Sequence, residues 1–436
     1  MAVLKFLKGV RNHWKKSLFA ASALAYGASY ANEKYEINQL MRQYCEEAAK
    51  YGDVIVDDVT VPPKRILVIL NPAANKKSAE KPFQKYCEPV LHLAGFLVDI
   101  VKTDSEGHAL RYVEELKQLP DAILVAGGDG TLSETVTGLL RRSKREKCPV
   151  GVLPVGRTNS VATKIYNLKP NSSGLEEVRG MVHSAISVVR GRTAKKDIME
   201  IQVMPDEESE PPPKPIFAVG SFQWGAFRDA HSLQDKYWYL GPFRDYAASL
   251  FNAFSDKLTW NCTAQINYTP PCPGCKNCYI KEPEPQQIST GRWWSRFIPR
   301  FSLNQARAQQ VPEYSKVMNE NCTKVTSSEV NPSELVLSVD SGEGESQATD
   351  ALPHSLKINV GDNVQGAFDF IGKSWSRIRT HEVDVKNRIL ARTVELIPAQ
   401  VSTEEKEIFY SIDNEPYEVR PVKISLVPKA IDMYTL

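Results

Sequence analysis

Residues 123–131 read ILVAGGDGT, and this stretch decides the fold of the 436-residue chain. Its apolar half has the composition of a buried strand, and the residues that follow, Thr131 to Arg142, have helical spacing. Glycines lack a Cβ, so backbone N–H groups can approach a bound oxyanion, and the positive end of the following helix faces the same point. The pattern therefore predicts a phosphate-binding turn between a strand and a helix.

Asp129 lies inside this turn. A carboxylate would repel a phosphate there unless it holds Mg²⁺ or accepts a proton, so it indicates phosphate chemistry that uses a metal. The alternative is an acidic glycine turn without a catalytic role. The strand before it and the helix after it favour the catalytic interpretation.

Short apolar runs alternate with helical stretches between residues 64 and 193. The runs barely alternate apolar with polar residues, as expected for parallel strands that are covered on both faces. We therefore predict a doubly wound α/β nucleotide-binding domain at 64–193. The strands of this domain are expected at Ile66–Leu70, Leu97–Val101, Ala122–Ala126 and Val150–Pro154.

The pattern changes after about residue 194, where strand-like runs are separated by polar loops. This indicates a second, mainly antiparallel β domain at 194–430, with an irregular insertion near 268–332. Residues 1–63 are expected to form a targeting or membrane-anchor segment and a helical lead-in. The strands of the second domain are expected at Ile198–Val203, Leu258–Tyr268, Glu334–Val339, Leu356–Val360, Val394–Ile397 and Val422–Leu426.

The composition excludes several classes of protein. With 42% hydrophobic and 24% charged residues and a mean hydropathy of −0.34, the chain is neither a polytopic transporter nor wholly disordered. Its formal net charge of +2 is too close to balance to favour nucleic acid as the main partner. We therefore expect no nucleic-acid partner.

Polar side chains also follow the first and fourth predicted strands. Residues 152–160 read VLPVGRTNS, and Asn71 ends the first strand. Ligands of open α/β sheets bind outside the carboxyl ends of the strands, so these turns are expected to share one cleft with Asp129. Arg157 either pairs with phosphate in that cleft or stays unengaged in solvent.

The amino terminus has a basic, acid-free flank over residues 1–17, followed by a weakly apolar stretch, Leu18–Ala31. The stretch is shorter than the roughly 20 residues that span a bilayer as a helix. Three interpretations stay open: mitochondrial targeting or anchoring, a secretory signal, and a surface helix. The secretory interpretation would make the glycosylation sequons usable, which begin at Asn171, Asn261, Asn267 and Asn321.

Two features of the insertion carry further chemistry. Cys272, Cys275 and Cys278, with Cys262 upstream, have the spacing of zinc ligands, of a disulfide clip, or of free thiols. Residues 292–301, RWWSRFIPRF, place Trp293, Trp294 and Phe297 beside arginines, as in a helix that lies on an anionic membrane surface. An aromatic stripe docked on the protein itself is the alternative.

The turns together resemble the diacylglycerol kinase catalytic family of lipid kinases, which includes sphingosine, ceramide and acylglycerol kinases and shares its nucleotide site with NAD kinase. The Asn-Pro turn at Asn71, Gly127–Thr131, Glu134 and Pro154–Ala162 stand in the family's order and spacing. The chain is also similar to the mitochondrial acylglycerol kinases over most of its length. The implied fold is NAD kinase/diacylglycerol kinase-like, α/β plus β, with an N-terminal doubly wound nucleotide domain and a C-terminal β-sandwich domain.

The resemblance implies roles for individual residues. Either Asp129 or Asp413, in the turn Ser411–Pro416, is the general base, and Asp129 and Asp197 are the implied magnesium ligands. Ser160 stands where some relatives have an aspartate in a metal and water network. The implied nucleotide-binding residues are Asn71, Gly127, Gly128, Gly130, Thr131, Glu134, Gly156, Thr158, Asn159 and Glu415.

The implied activity uses ATP and Mg²⁺, with a structural Zn²⁺ if the cysteines bind one. The hydroxyl of monoacylglycerol and diacylglycerol is phosphorylated to lysophosphatidic and phosphatidic acid at an anionic mitochondrial membrane surface, on the intermembrane-space side of the inner membrane. One alternative is a ceramide or sphingosine kinase. Another is a component of the mitochondrial inner-membrane carrier translocase whose kinase activity is dispensable.

Overall fold

The fold is known from a computed structural model. It describes residues 14–57, 62–142, 147–168, 174–205, 213–255, 258–272, 275–276, 317–340, 354–380, 385–399 and 408–436.

Four parallel strands form the first half of the chain, in the spatial order β2-β1-β3-β4. All four expected strands are present, within one residue of the positions indicated by sequence. Parallel neighbours require crossover connections, which the intervening helices supply. The strands are β1 (Arg65–Leu70), β2 (Leu97–Lys102), β3 (Ala122–Gly127) and β4 (Val150–Pro154).

Helices cover both faces of these strands. The helices in the described residues are α1 (Trp14–Asp57), α2 (Ala74–Lys77), α3 (Glu80–Pro82), α4 (Glu88–Leu93), α5 (His108–Glu115), α6 (Asp129–Leu140), α7 (Ser160–Ile165), α8 (Leu175–Arg190), α9 (Ala226–Ser232), α10 (Arg244–Asn252) and α11 (Ala367–Thr380). A π-helical turn, Phe83–Cys87, precedes α4, and 3₁₀ segments run over Leu233–Phe243 and Glu320–Thr323.

Alternate residues of β1 enter two different cores. Ile66 and Val68 pack with residues of α1 and α8, and Leu67 and Ile69 pack with residues of α5 and α6. Because successive strand residues point to opposite faces, a strand buried on both faces is apolar throughout. The prediction of a doubly wound domain is confirmed.

The same sheet continues into the second half of the chain. The carboxyl-terminal strand β16 (Val422–Tyr434) pairs in parallel with β4 through Met433 and Val150, and antiparallel with β5 (Thr193–Val203). It runs well past the expected end at Leu426, because its second half pairs with Thr193–Lys196 after a register shift. Further strands of this sheet are β6 (Ile216–Ala218), β8 (Ala264–Thr269), β9 (Thr326–Val330) and β13 (Thr393–Pro398).

A second, antiparallel sheet packs on this extension. Met199 and Ile424 from the first sheet share a core with Trp224, Leu337 and Tyr410 from the second. Two sheets joined by one apolar core form a sandwich, as the family resemblance implied. The second sheet has the order β12-β11-β10-β7-β14-β15, formed by β7 (Ser221–Gly225), β10 (Glu334–Asp340), β11 (Ser355–Gly361), β12 (Val385–Ala391), β14 (Phe409–Ile412) and β15 (Glu415–Glu418).

Helix α1 is docked through its second half only. Ile37 and Ala48 are buried in the core beneath α8, and Tyr44 Oη lies 2.6 Å from His183 Nε2. The earlier part, including Leu24, is exposed. Among the described residues, no helix is both long and apolar enough to cross a membrane.

Truncating one buried side chain should separate the docked half of α1 from its exposed half. We expect Ile37→Ala to lower the free energy of unfolding by about 2 kcal/mol or more, because it leaves a cavity under α1. Leu24→Ala, the control on the same helix, should have little effect because Leu24 is 75% exposed. Urea unfolding of the full chain followed by far-ultraviolet circular dichroism measures both. Equal effects of the two changes would contradict this docking.

Candidate active site

Three strand-end turns meet at the carboxyl edge of the parallel strands. Asn71 Nδ2 donates a hydrogen bond to Thr131 Oγ1 at 3.0 Å, which ties the turn after β1 to the start of α6. The N–H of Gly156 donates to the carbonyl of Gly127 at 3.1 Å, which ties the turn after β4 to the end of β3. The structure therefore brings the residues of the three predicted turns together.

Three glycines allow the backbone and side chains to approach this closely. A Cβ on Gly156 would collide with the backbone of Gly128, and a Cβ on Gly130 would collide with the side chain of Glu415. Gly128 itself would place a Cβ 2.9 Å from the carbonyl oxygen of Thr158. The space that a side chain would need at these positions is filled by neighbouring backbone and by the Glu415 carboxylate, so only glycine fits.

Asp129 is the first residue of α6 and only 2% exposed. Its carboxylate accepts hydrogen bonds from the N–H groups of Ser160 (2.8 Å) and Val161 (3.1 Å) and from Asn414 Nδ2 (2.9 Å). Burial raises the pKa of this carboxyl, and the hydrogen bonds oppose that shift. The result is a carboxylate fixed in position and more basic than one in water.

Asp413 is buried in the turn between β14 and β15. Its carboxylate accepts hydrogen bonds from the N–H groups of Val219 (2.8 Å), Gly220 (2.8 Å) and Ser221 (2.9 Å). Burial, with a contribution from the charge of Asp129, raises its pKa to about 6. The side chain therefore fixes the turn between β6 and β7, and the two candidate bases influence each other electrostatically.

Glu415 and Glu134 flank the start of α6. Burial, followed by the negative charges of Glu106 and Glu134, raises the pKa of Glu415 to about 6. Burial also raises the pKa of Glu134, whose Oε1 accepts a 2.9 Å hydrogen bond from the N–H of Gly107 at the start of α5. Like charges held close together are a site where a divalent cation would relieve repulsion.

Asn159 offers a further oxygen atom that a metal could bind. Asn159 Nδ2 donates to the carbonyl of Gly156 at 2.8 Å, while Asn159 Oδ1 is buried without a hydrogen-bond partner. An amide oxygen and the Glu415 carboxylate are oxygen donors of the type that Mg²⁺ takes in proteins. The residues present therefore suit a magnesium ion at this turn.

Asp197 is engaged elsewhere in the structure. It lies on β5, where its carboxylate is 2.5 Å from His354 Nδ1 and accepts a 2.7 Å hydrogen bond from the N–H of Lys429. Among the described residues, its hydrogen bonds go to these two partners and not to the glycine turn. The hydrogen bonds of Asp197 therefore do not support the implied role of this residue as a magnesium ligand together with Asp129.

A cavity of about 350 Å³ opens beside Asp129, and sequence reasoning did not find it. Ser160 and Asn414, which both donate hydrogen bonds to Asp129, line one side. Helices α9, α10 and α11 supply most of the remaining wall, including Phe227, His231 and Ala248. Helix α11 is far from α9 and α10 in the sequence, so neither motif nor spacing indicates that the three helices converge.

Charged pairs hold the walls of this region. Arg228 pairs with Asp229 at 3.0 Å, and Arg377 pairs with Glu334. Arg157, after β4, forms an ion pair with Asp235 in the 3₁₀ segment Leu233–Phe243. The arginine in the second turn is thus engaged with the second half of the chain.

The cysteines that lie together in the structure are not the set that the sequence predicted. The Sγ atoms of Cys272, Cys275 and Cys322 lie within 4.8 Å of one another. Cys262 is buried elsewhere, against Gly225. None of the seven cysteines in the described residues forms a disulfide. Cys278 and the membrane-contact residues Trp293, Trp294 and Phe297 lie outside the described residues.

Comparisons with known proteins agree with this architecture. The diacylglycerol kinase catalytic domain matches residues 65–201, and the acylglycerol kinase C-terminal model matches residues 219–435. A solved structure of a putative diacylglycerol kinase from Bacillus anthracis str. Sterne superposes with a TM-score of 0.50 at 14% identity, covering 86% of this chain and 97% of that one. This similarity supports the NAD kinase/diacylglycerol kinase-like fold.

Curated relatives extend the match. The mitochondrial acylglycerol kinase of Homo sapiens is 32% identical over 98% of this chain and 96% of its own length. Sphingosine kinase 1 of Arabidopsis thaliana is 32% identical over 42% of this chain and 36% of its own length. The chain is therefore a lipid kinase that belongs to the acylglycerol kinase family, within the diacylglycerol kinase catalytic family.

Proposed function

We propose that this lipid kinase transfers the γ-phosphate of ATP to the free hydroxyl of monoacylglycerol or diacylglycerol, giving lysophosphatidic or phosphatidic acid. One observation carries the proposal. Ser160 and Asn414 donate hydrogen bonds to the Asp129 carboxylate, and both residues also line the cavity. A hydroxyl bound in that cavity would lie beside a carboxylate at a phosphate-binding turn. This is the arrangement that phosphoryl transfer to an alcohol requires.

Asp129 is the proposed general base. Its carboxylate contacts two cavity-lining residues, and its raised pKa makes it a better proton acceptor than an exposed aspartate. Asp413 is engaged with three consecutive backbone N–H groups, at Val219, Gly220 and Ser221, so its proposed role is to position the turn before β7. Backbone N–H groups therefore position both carboxylates.

The turns after β1, β3 and β4 are the proposed site of the ATP phosphates. The glycine backbone and the amino-terminal end of α6 present N–H groups there. Glu415 and Asn159 Oδ1 are the proposed magnesium-holding groups. When bound, Mg²⁺ would neutralise charge on the phosphates, and the protein residues would orient the hydroxyl and accept its proton.

The cavity walls favour a neutral acceptor. Gln223, His231 and Gln234 offer hydrogen-bonding groups, and burial lowers the pKa of His231, which favours the neutral imidazole. Arg228 and Arg377 on the same walls are paired with Asp229 and Glu334, so they offer hydrogen-bond donors without an unbalanced charge. The ester groups of an acylglycerol accept hydrogen bonds without adding charge.

A membrane surface is the proposed source of the lipid. Phe243 and Phe254 are 69% and 65% exposed, and the ring of Phe254 packs against Phe368, which is 82% exposed. These residues lie on or beside α10 and α11, which also wall the cavity. Exposed aromatics on or beside the helices that wall the cavity are suited to entering a bilayer interface.

The compartment is proposed to be mitochondrial, at the inner membrane on its intermembrane-space side. The basic residues before Leu18 and the name of the human relative support a mitochondrial location. The carrier translocase is retained as a proposed partner on the family resemblance alone.

Purified full-length protein should be tested with labelled ATP and Mg²⁺ against a panel of lipids. We expect transfer to monoacylglycerol and diacylglycerol to exceed transfer to ceramide and sphingosine. Asp129→Asn should lower kcat by about 10²- to 10⁴-fold, because it removes the base but keeps the shape. Asp235→Gln, a surface control that breaks the pair with Arg157, should cost far less.

Two outcomes would contradict the proposal. A preference for ceramide or sphingosine would reject the substrate assignment and leave the lipid kinase family intact. Full activity in Asp129→Asn would reject the base assignment. Measuring carrier import with the same Asp129→Asn protein separates a translocase role from catalysis, because a dispensable kinase would leave import unchanged.

Filling the cavity should block the lipid and spare the nucleotide. Ala248 is 2% exposed and lines the cavity, so we expect Ala248→Trp to lower kcat/KM for diacylglycerol by tenfold or more. Binding of a fluorescent ATP analogue should be unchanged, which also shows that the variant is folded. Leu250→Trp, on the exposed side of α10, is the matched control. Equal loss of nucleotide binding would place the nucleotide, and not the lipid, near this cavity.

Replacing the exposed aromatics should weaken membrane engagement alone. We expect Phe243, Phe254 and Phe368 changed together to serine to reduce binding to anionic vesicles and to slow phosphorylation of vesicle-borne diacylglycerol. A short-chain soluble diacylglycerol should be phosphorylated normally, because the cavity is intact. Serine at the exposed Leu93, Leu97 and Val325 is the control. Equal slowing with both substrates would show that these aromatics shape the cavity instead.

A further inference from the structure

We propose that Cys272, Cys275 and Cys322 bind a structural Zn²⁺ ion that fastens the base of the insertion between β8 and β9. Their three Sγ atoms lie within 4.8 Å of one another. Tetrahedral zinc with Zn–S bonds of about 2.3 Å places its sulfur ligands about 3.8 Å apart, so a modest inward movement would bring the three sulfurs to one zinc ion as three of its four ligands. The proposed site is independent of the kinase chemistry.

The burial of the three cysteines suits a structural metal site. Cys275 and Cys322 are fully buried, and Cys272 is partly covered. A cluster of three thiols in one small volume exceeds what a disulfide can use, because a disulfide joins two sulfurs and leaves the third. Zinc binds several thiolates at once, which is the commonest arrangement in structural zinc sites.

Neighbouring groups donate hydrogen bonds to the sulfurs. Asn319 Nδ2 lies 3.3 Å from Cys272 Sγ, and Arg392 Nη1 lies 3.5 Å from Cys322 Sγ. A guanidinium beside a sulfur favours the thiolate, which is the form that binds metal. Donors around metal-bound groups also fix their orientation, and here they come from two different segments.

The backbone already brings the two ends of the insertion together. Cys272 and Cys275 follow β8, and Cys322 lies in the 3₁₀ segment that precedes β9. The N–H of Lys276 donates to the carbonyl of Val317 at 2.9 Å, between the two groups of ligands. A metal bound to both strands' ends would close a loop of more than forty residues, which removes unfolded-state entropy as a cross-link does.

Zinc content of the full-length protein, purified without chelator, tests the proposal directly. We expect about one zinc per chain by plasma mass spectrometry, and loss of that zinc in Cys322→Ser. Cys262→Ser is the matched control, since Cys262 is equally buried in the same half of the chain but lies outside the cluster, and it should keep its zinc. Zinc-free wild-type protein, or loss of zinc in both variants alike, would overturn the proposal.

A second measurement covers the case in which Cys322→Ser does not fold. Wild-type protein in which cobalt replaces zinc should show the intense sulfur-to-cobalt charge-transfer absorption of several thiolate ligands. Peptide mapping of the unreduced wild-type chain should show no disulfide to Cys322. A disulfide between Cys322 and either Cys272 or Cys275, or absence of the charge-transfer band, would overturn the zinc site.

Discussion

The buried carboxylate of Asp129 is the constraint on which the rest of the structure depends. A carboxylate that is only 2% exposed lowers the stability of the folded state unless hydrogen-bond donors surround it. The sequence places it where its own turn cannot supply all of them, so the donors come from Ser160 and Val161 after β4 and from Asn414 near the carboxyl terminus. Residues almost 300 positions apart are therefore fixed at one point.

The same logic explains why the chain returns to its first half. Asn414 can reach Asp129 only if the turn between β14 and β15 lies against the parallel strands. Asp413 in that turn is held by the backbone of residues 219–221, and β16 then continues beside β4. The hairpin and the final strand together join the two halves, so the active site is built from both.

Much of the first half was predictable because its signals are local. A glycine turn between an apolar strand and a helix is specified by neighbouring residues, and parallel strand ends share one edge, so Gly127–Thr131, Asn71 and Gly156 could be placed together. The sequence could not show whether Asp129 or Asp413 is the general base, because the two carboxylates differ in the backbone N–H groups that they contact. Those donors, at residues 160–161 and 219–221, carry no sequence signal, since any residue offers an N–H group.

The second half was predictable in class and not in detail. The strand pattern indicated a mainly antiparallel domain, and the family resemblance implied a sandwich. The grouping of Cys322 with Cys272 and Cys275 depends on how the insertion closes, and spacing favoured Cys262 because it is nearer in sequence. The cavity likewise depends on the convergence of α9 and α10 with α11, which begins more than a hundred residues after α10 ends.

This separation has a functional consequence. The proposed phosphate turns offer backbone groups and glycines, which do not depend on the acceptor. The proposed acceptor cavity is lined by side chains such as His231, Gln234 and Ala248, which can change without disturbing those turns. Two residues link the two sets: Ser160 and Asn414 donate hydrogen bonds to Asp129 and also line the cavity. Under the proposed function, substitutions elsewhere in the cavity walls would therefore alter substrate choice while Asp129 keeps its position.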